Sequence, residues 1–395
     1  MDAAADAAAG AFAGWVRRIW SVARHRPGGV AVAGWLALRL VALAVYWWGL
    51  PDESTIHPLH QLALFGDTSW NATIAERGYD EWTADHQVNL AFFPVYPMAI
   101  RLVAAIIPAG TMSVPAAAVL VVWLAGMGAA WAIFAVAREV MPARAAVVAA
   151  MAWGALPIAI VESGGFSESL FTLPAAIALR CVLRRQWAWA GLASLVAGLT
   201  RPTGIALWIV VGLACAIALV RRRTPGRERL HAAAGMVMAP AGWTGFVLWV
   251  GWRVGRPLGY LDVQGSGWGS RLNPLSEFVH RLADALAQPH YLNVTVVAVT
   301  VAGALICLAA CFAQRMRWPL VAYACGIVLL AMTNASYWVC FPRFILPAFP
   351  LLFPPARALA AQRPWFIAMV LLAATWVSGW IGAWFSSIGG ATAFP

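Results

Sequence analysis

Pro94-Val95-Tyr96-Pro97-Met98-Ala99-Ile100-Arg101-Leu102-Val103-Ala104-Ala105-Ile106-Ile107-Pro108 is the stretch on which the topology of this chain turns. It is apolar but short, is punctuated by Pro94 and Pro97, and carries Arg101. A helix needs ~20 residues to cross the hydrocarbon of a bilayer, so 94–108 reads as an interfacial or re-entrant helix. Eleven further apolar runs lie around it, at 30–49, 114–137, 143–161, 167–184, 188–200, 203–220, 231–252, 292–313, 318–334, 342–359 and 365–385. If 94–108 does not cross, the connecting segments fall into two sets. The N-terminal tail with 138–144, 180–187, 221–230, 314–317 and 357–363 holds eighteen arginines and four acids. The other set, 50–113, 162–168, 201–202, 253–291 and 335–343, holds eight arginines and twelve acids. The positive-inside rule places the first set in the cytoplasm. A crossing at 94–108 would scramble the partition, so the non-crossing reading stands.

Composition sets the class. The 395 residues are 62% hydrophobic and 11% charged, with a mean hydropathy of +0.74; soluble domains have about 45–50% apolar residues. An all-α polytopic membrane protein follows, with about eleven transmembrane helices in a single domain over 1–395. Soluble, fibrous, disordered and disulfide-rich secreted classes are excluded. The net charge of +11 is entirely arginine, since the chain has no lysine. Those arginines sit between apolar runs and set topology, so nucleic acid is not an expected partner. Cys181, Cys215, Cys307, Cys311, Cys325 and Cys340 lack metal-ligand spacing and read as packing residues. Arg17, Arg18, Arg24 and Arg26 precede the first run, a cytoplasmic lead-in to a retained helix instead of a signal peptide.

Chemistry concentrates in the acid-rich set, whose long members are 50–113 and 253–291. In Gly66-Asp67-Thr68-Ser69-Trp70-Asn71-Ala72-Thr73-Ile74-Ala75-Glu76-Arg77-Gly78-Tyr79, Trp70, Ile74 and Ala75 recur at helical spacing. This predicts a short amphipathic helix on the outer membrane face, opened by Asp67 or Thr68 and stopped by Gly78. Asp67 is either its cap or a carboxylate facing a cavity. Phe92-Phe93-Pro94-Val95-Tyr96-Pro97 reads as an aromatic belt or part of a site. Glu162 and Glu168 flank Ser163-Gly164-Gly165-Phe166-Ser167 at two outer helix ends, where acids are costly and functional by default. Arg201 follows a run of only thirteen residues, which would set it below the membrane surface and in need of an anion. Arg343, in Cys340-Phe341-Pro342-Arg343-Phe344, sits at another outer end. Two arginines and several acids on one face suit a lipid phosphate beside a proton acceptor; snorkelling is the bland alternative.

These motifs, in this order, carry a resemblance. Asp67-x-x-Trp70-x-x-x-Ile74-Ala75-x-x-Gly78-Tyr79, Phe92-Phe93-Pro94-Val95-Tyr96-Pro97, Ser167-Glu168-Ser169-Leu170-Phe171 and Arg201-Pro202-Thr203-Gly204 resemble the PIG-V mannosyltransferase family over about residues 35–360. Gly66 departs from the Trp that the family usually has there. The lysine-free, Ala/Arg/Trp-rich composition looks like that of a bacterial member. The resemblance implies the GT-C superfamily, multi-helix membrane enzymes whose first external loop lies on the membrane as short helices and carries a catalytic acid. It implies an inverting transfer of sugar, with mannose first choice, from a polyprenyl-phosphate donor to a glycan or glycolipid acceptor.

On that reading Asp67 is the general base and Arg201 holds the donor phosphate, with Arg343 a second phosphate partner. Glu168 orients the acceptor or holds an arginine, Trp70, Tyr79 and Tyr96 line the substrate site, and no metal or other cofactor is required. The expected location is the cytoplasmic membrane, multi-pass, with the N-terminus inside and the catalytic loop outside. The rival classes are a lipid or anion transporter or flippase, and a non-catalytic membrane subunit. The concentration of acids in one outer loop and the lack of an inverted hydropathy repeat speak against transport.

Overall fold

A computed structural model describes residues 26–50, 67–83, 86–107, 112–221, 225–288 and 292–389. Arg17, Arg18, Arg24, Asp52, Glu53, Gly66 and Asp85 lie outside the described residues. Among the described residues there are sixteen α-helices, joined in places by 3-10 turns, and no strand. They are α1 Pro27–Trp48, α2 Asp67–Arg77, α3 Val95–Ile106, α4 Val114–Ala137, α5 Ala143–Gly154, α6 Glu168–Leu183, α7 Trp187–Gly198 and α8 Gly204–Val220. The second half adds α9 Gly226–Val254, α10 Gly259–Asp262, α11 Leu275–Leu286, α12 Leu292–Ala313, α13 Trp318–Thr333, α14 Phe341–Phe344, α15 Phe353–Ala360 and α16 Pro364–Gly389.

This is an all-α polytopic membrane protein. Among the described residues five helices (α1, α4, α9, α12 and α16) are long and apolar enough to cross a membrane. A sixth span forms if Ala335–Phe344 and Phe349–Ala360, bent by 53°, count as one. The sequence indicates about eleven spans, two of them short, and that count is not matched by full-length helices; proline and loop chemistry interrupt two of the runs. The run at 143–161 stops at Gly154 and resumes only as a 3-10 turn, Ala159–Ser163, after Pro157. The run at 342–359 is divided around Pro347 and Pro350, which have no N–H to continue a helix. Helices α5, α7, α8 and α13 remain helical over 12 to 17 residues, about 18–26 Å at 1.5 Å per residue. Irregular backbone at membrane depth is tolerated only where protein or a cavity covers it, so the breaks mark where the interior is built for more than spanning.

Helix α3 is twelve residues long, about 18 Å against ~30 Å of hydrocarbon, the same length as α5 and α7. Small residues allow the closest packing. A Cβ on Gly242 in α9 would meet the Leu195 carbonyl of α7 at 2.0 Å, and one on Gly235 the Trp187 carbonyl at 2.3 Å. Trp35 of α1 fills a slot left by Gly126 and Gly154, where added Cβ atoms would stand 2.4 and 2.3 Å from its ring.

Contacts separate the two sets of connecting segments. At the arginine-rich end, Glu139 pairs with Arg184 at 2.9 Å and Arg180 at 3.3 Å. There Arg357 also donates to Gln314 and the Val140 carbonyl, and Arg144 to the Gln362 carbonyl. At the acid-rich end, Trp268 donates to the Val88 carbonyl at 3.1 Å, Gln264 to the Ala91 carbonyl, and Tyr337 to the Trp268 carbonyl. The two long segments, 50–113 and 253–291, are thus laced together over one end of the bundle.

Candidate active site

Asp67 stands in the first described turn of α2, and Gly78 at φ +88° closes the helix, its N–H donating to the Ile74 carbonyl at 2.9 Å. That left-handed position favours glycine. The Thr68 hydroxyl donates to the Gly165 carbonyl at 2.9 Å. This bond clamps the start of α2 onto the segment that carries Glu168. A Cβ on Gly165 would lie 2.1 Å from the Thr68 hydroxyl, so only glycine permits the approach. The N–H of Val95 donates to the Leu199 carbonyl at 3.1 Å, which fixes the Phe-Phe-Pro segment beside the Arg201 turn.

These anchors bring Asp67, Glu168, Arg201 and Arg343 into one chain of charge. Arg201 Nη1 lies 2.8 Å from Glu168 Oε1 and donates to the Ser167 hydroxyl at 2.7 Å. Arg343 Nε lies 3.5 Å from the same Glu168 oxygen, and its Nη1 reaches Asp67 Oδ2 at 3.4 Å. The Arg343 guanidinium also sits over the Phe166 ring at 4.9 Å. Glu168 is completely buried, whereas the Asp67 side chain is 27% exposed. Bond directions leave Glu168 Oε2, Arg201 Nε and Arg343 Nε without hydrogen-bond partners. The centre therefore combines balanced charge with unused donors and one reachable carboxylate, a combination suited to an anion and a proton transfer.

The aromatic candidates separate. Trp70 stacks on Phe92 at 6.1 Å and meets Trp268 edge-on at 5.1 Å, which makes a half-buried aromatic cluster within one turn of Asp67. Tyr96 is buried and donates to the Ala118 carbonyl at 3.4 Å. Burial, then the nearby Glu168 and Asp67 carboxylates, push its hydroxyl well above the usual tyrosine value. Tyr79 faces elsewhere: it donates to the Phe92 carbonyl at 2.9 Å and packs on Phe246 and Trp249. Burial raises its hydroxyl too. Its visible role is to hold the turn after α2.

Ser167, Phe166 and Trp268 were not singled out as site residues from sequence. Adjacency to Glu168 was the available signal for the first two; nothing local marks Trp268. Behind the site, Glu162 accepts from Trp35 Nε1 at 3.1 Å, and Arg39 donates to the Ala159 carbonyl. Both are buried, so the segment 159–168 is braced by charge from within the bundle.

The fold and site define a helical membrane protein with a clamped acid–arginine centre under two interlaced loops. No family model matches the chain, and no curated protein matches it. Among solved structures it is similar to the oligosaccharyltransferase of Archaeoglobus fulgidus. In the complex of that protein with zinc and sulfate the identity is 16% and the TM-score 0.49, over 90% of this chain and 53% of that one. In its complex with an inhibitory peptide and a dolichol-phosphate the values are 15% and 0.47, over 91% and 56%. This chain thus spans just over half the length of that protein, and a likeness of this degree assigns it neither family nor chemistry.

Proposed function

We propose that this protein is an inverting glycosyltransferase of the GT-C kind that moves a sugar, with mannose the first candidate, from a polyprenyl-phosphate donor to a glycan or glycolipid. The observation that carries the reading is the continuous contact Asp67–Arg343–Glu168–Arg201 at the acid-rich end of the bundle. The acceptor hydroxyl attacks the anomeric carbon, the bond from that carbon to the phosphate oxygen breaks, and Asp67 takes the hydroxyl proton. The leaving polyprenyl phosphate gains one negative charge, which Arg201 and Arg343 stabilise; no metal is required. The Asp67–Arg343 contact is long, at 3.4 Å, and 27% of the Asp67 side chain is exposed. An arriving phosphate can therefore draw Arg343 away and leave Asp67 free as a base.

Two further features support this reading. An apolar groove of about 390 Å³ between α1 and α4 runs to Ser163, five residues before Glu168, and suits a polyprenyl chain. Trp70, Phe92 and Trp268 offer ring faces and edges to a sugar beside Asp67. The orientation follows from the arginine bias, with the site at the outer face of the cytoplasmic membrane. The test is an assay of purified protein in detergent with labelled polyprenyl-phosphate mannose. Transfer without a sealed membrane supports an enzyme. Absence of transfer to every glycan and glycolipid acceptor, combined with flux in vesicles, points to a transporter.

A further inference from the structure

Helices α6 and α8 run from the acid–arginine centre to the opposite end of the bundle, about 24 Å away at 1.5 Å per residue. There a second cavity, of about 280 Å³, opens among the ends of α6 and α8 and the starts of α7, α9 and α13. Arg185, Arg221 and Arg317 all line it. None of these guanidiniums makes a side-chain hydrogen bond or ion pair among the described residues. Their neighbours Arg180, Arg184 and Arg357 are tied to protein partners in the same layer. The acid in the cavity is Glu228, which accepts from Trp187 Nε1 at 3.0 Å and pairs with no arginine among the described residues. The lining thus carries three positive charges against one negative.

A left-handed turn sets one of the three arginines. Arg185 adopts φ +58° where the Cys181–Gln186 turn closes α6, with the Gln186 N–H on the Cys181 carbonyl at 2.8 Å. Glycine is the usual residue in that left-handed position. Arg315, outside the cavity, takes the same conformation at φ +50°, so at Arg185 the turn sets the backbone and directs the side chain into the cavity lining. Trp187 and Trp318 line the cavity as an interfacial aromatic pair, and Leu183 and Ile217 supply an apolar wall.

We infer that this cavity binds the phosphate headgroup of an anionic phospholipid from the leaflet opposite the acid–arginine centre. The guanidiniums hold the phosphodiester oxygens, and the apolar wall receives the first carbons of the acyl chains. A free phosphate shares the first chemistry but has no use for the wall.

Native mass spectrometry of the full chain in detergent tests this, with titration by phosphatidylglycerol, by phosphatidylcholine of the same chains, and by inorganic phosphate. The wild type is expected to hold phosphatidylglycerol at least about tenfold better than phosphatidylcholine. The Arg185→Gly/Arg317→Gln double variant should lose about tenfold or more of that binding, the worth of one charge-assisted bond. Gly at 185 suits the backbone, so lipid-free thermal unfolding should be unchanged; if the double variant does not fold, Arg185→Gly alone is measured. Equal binding of the two lipids, or an unchanged phosphatidylglycerol affinity in the variant, overturns the proposal. So does stabilisation by inorganic phosphate alone equal to that by lipid, which would assign a free anion.

Discussion

Glu168 faces two arginines with one fully buried carboxylate, so its removal strands both. Breaking a buried pair typically costs 3–5 kcal/mol. Glu168→Gln should therefore lower the unfolding temperature in detergent far more than Asp67→Asn, whose pair with Arg343 is long and part-exposed. Equal melting of the two variants would contradict that ranking. Arg201 separates binding from chemistry. Lysine keeps the charge but not the guanidinium fork, so Arg201→Lys should weaken donor binding and Arg201→Ala should weaken it further. A lost charge-assisted bond of ~1.5–3 kcal/mol corresponds to roughly ten- to a hundredfold in donor affinity, with acceptor affinity nearly unchanged. Donor and acceptor titrations of folded variants check this. A donor curve unmoved by Arg201→Ala would leave Arg343 as the phosphate partner.

Helix α2 is placed by one hydrogen bond and one missing side chain. Gly165→Ala would put a Cβ 2.1 Å from the Thr68 hydroxyl and push the start of α2, with Asp67, away from Arg343. The expected result is a chain that folds but turns over slowly; removing the obstructing hydroxyl and methyl with Thr68→Ala should restore part of the rate. If Gly165→Ala alone transfers sugar at the wild-type rate, the clamp does not set the geometry. The helix itself was legible, because Gly78 is a stop and Trp70, Ile74 and Ala75 mark its spacing. The limits of 114–137 coincide with α4, and the end of 292–313 with that of α12, for a similar reason: uninterrupted apolar runs have one stable backbone in lipid. The breaks at Gly154 and around Pro347 were not legible, since hydropathy weighs side chains and not missing N–H groups. Contacts such as Trp70 with Trp268 join distant segments, and no local periodicity encodes them.

The whole molecule is polarised, and that polarity was readable before the structure. The four charged residues of the site all belong to the acid-rich set of segments, and the fold gathers them at one end. The sequence showed which set of segments holds the acids; only the fold showed that one buried glutamate joins the two arginines. In a cysteine-free variant, a cysteine at Asp80 should react with an impermeant thiol reagent in intact cells, and one at Arg144 should be shielded. Labelling at Arg144 as well as Asp80 would mean that α3 crosses the membrane. The central claim is that Asp67 is the base in sugar transfer from a lipid phosphate. Its most direct test is the initial rate of transfer by purified wild type and Asp67→Asn in detergent, at matched folding and saturating donor. The expected loss is about 10²–10⁴-fold, the typical contribution of a general base, with donor affinity largely retained. Near-normal transfer by Asp67→Asn would contradict the account.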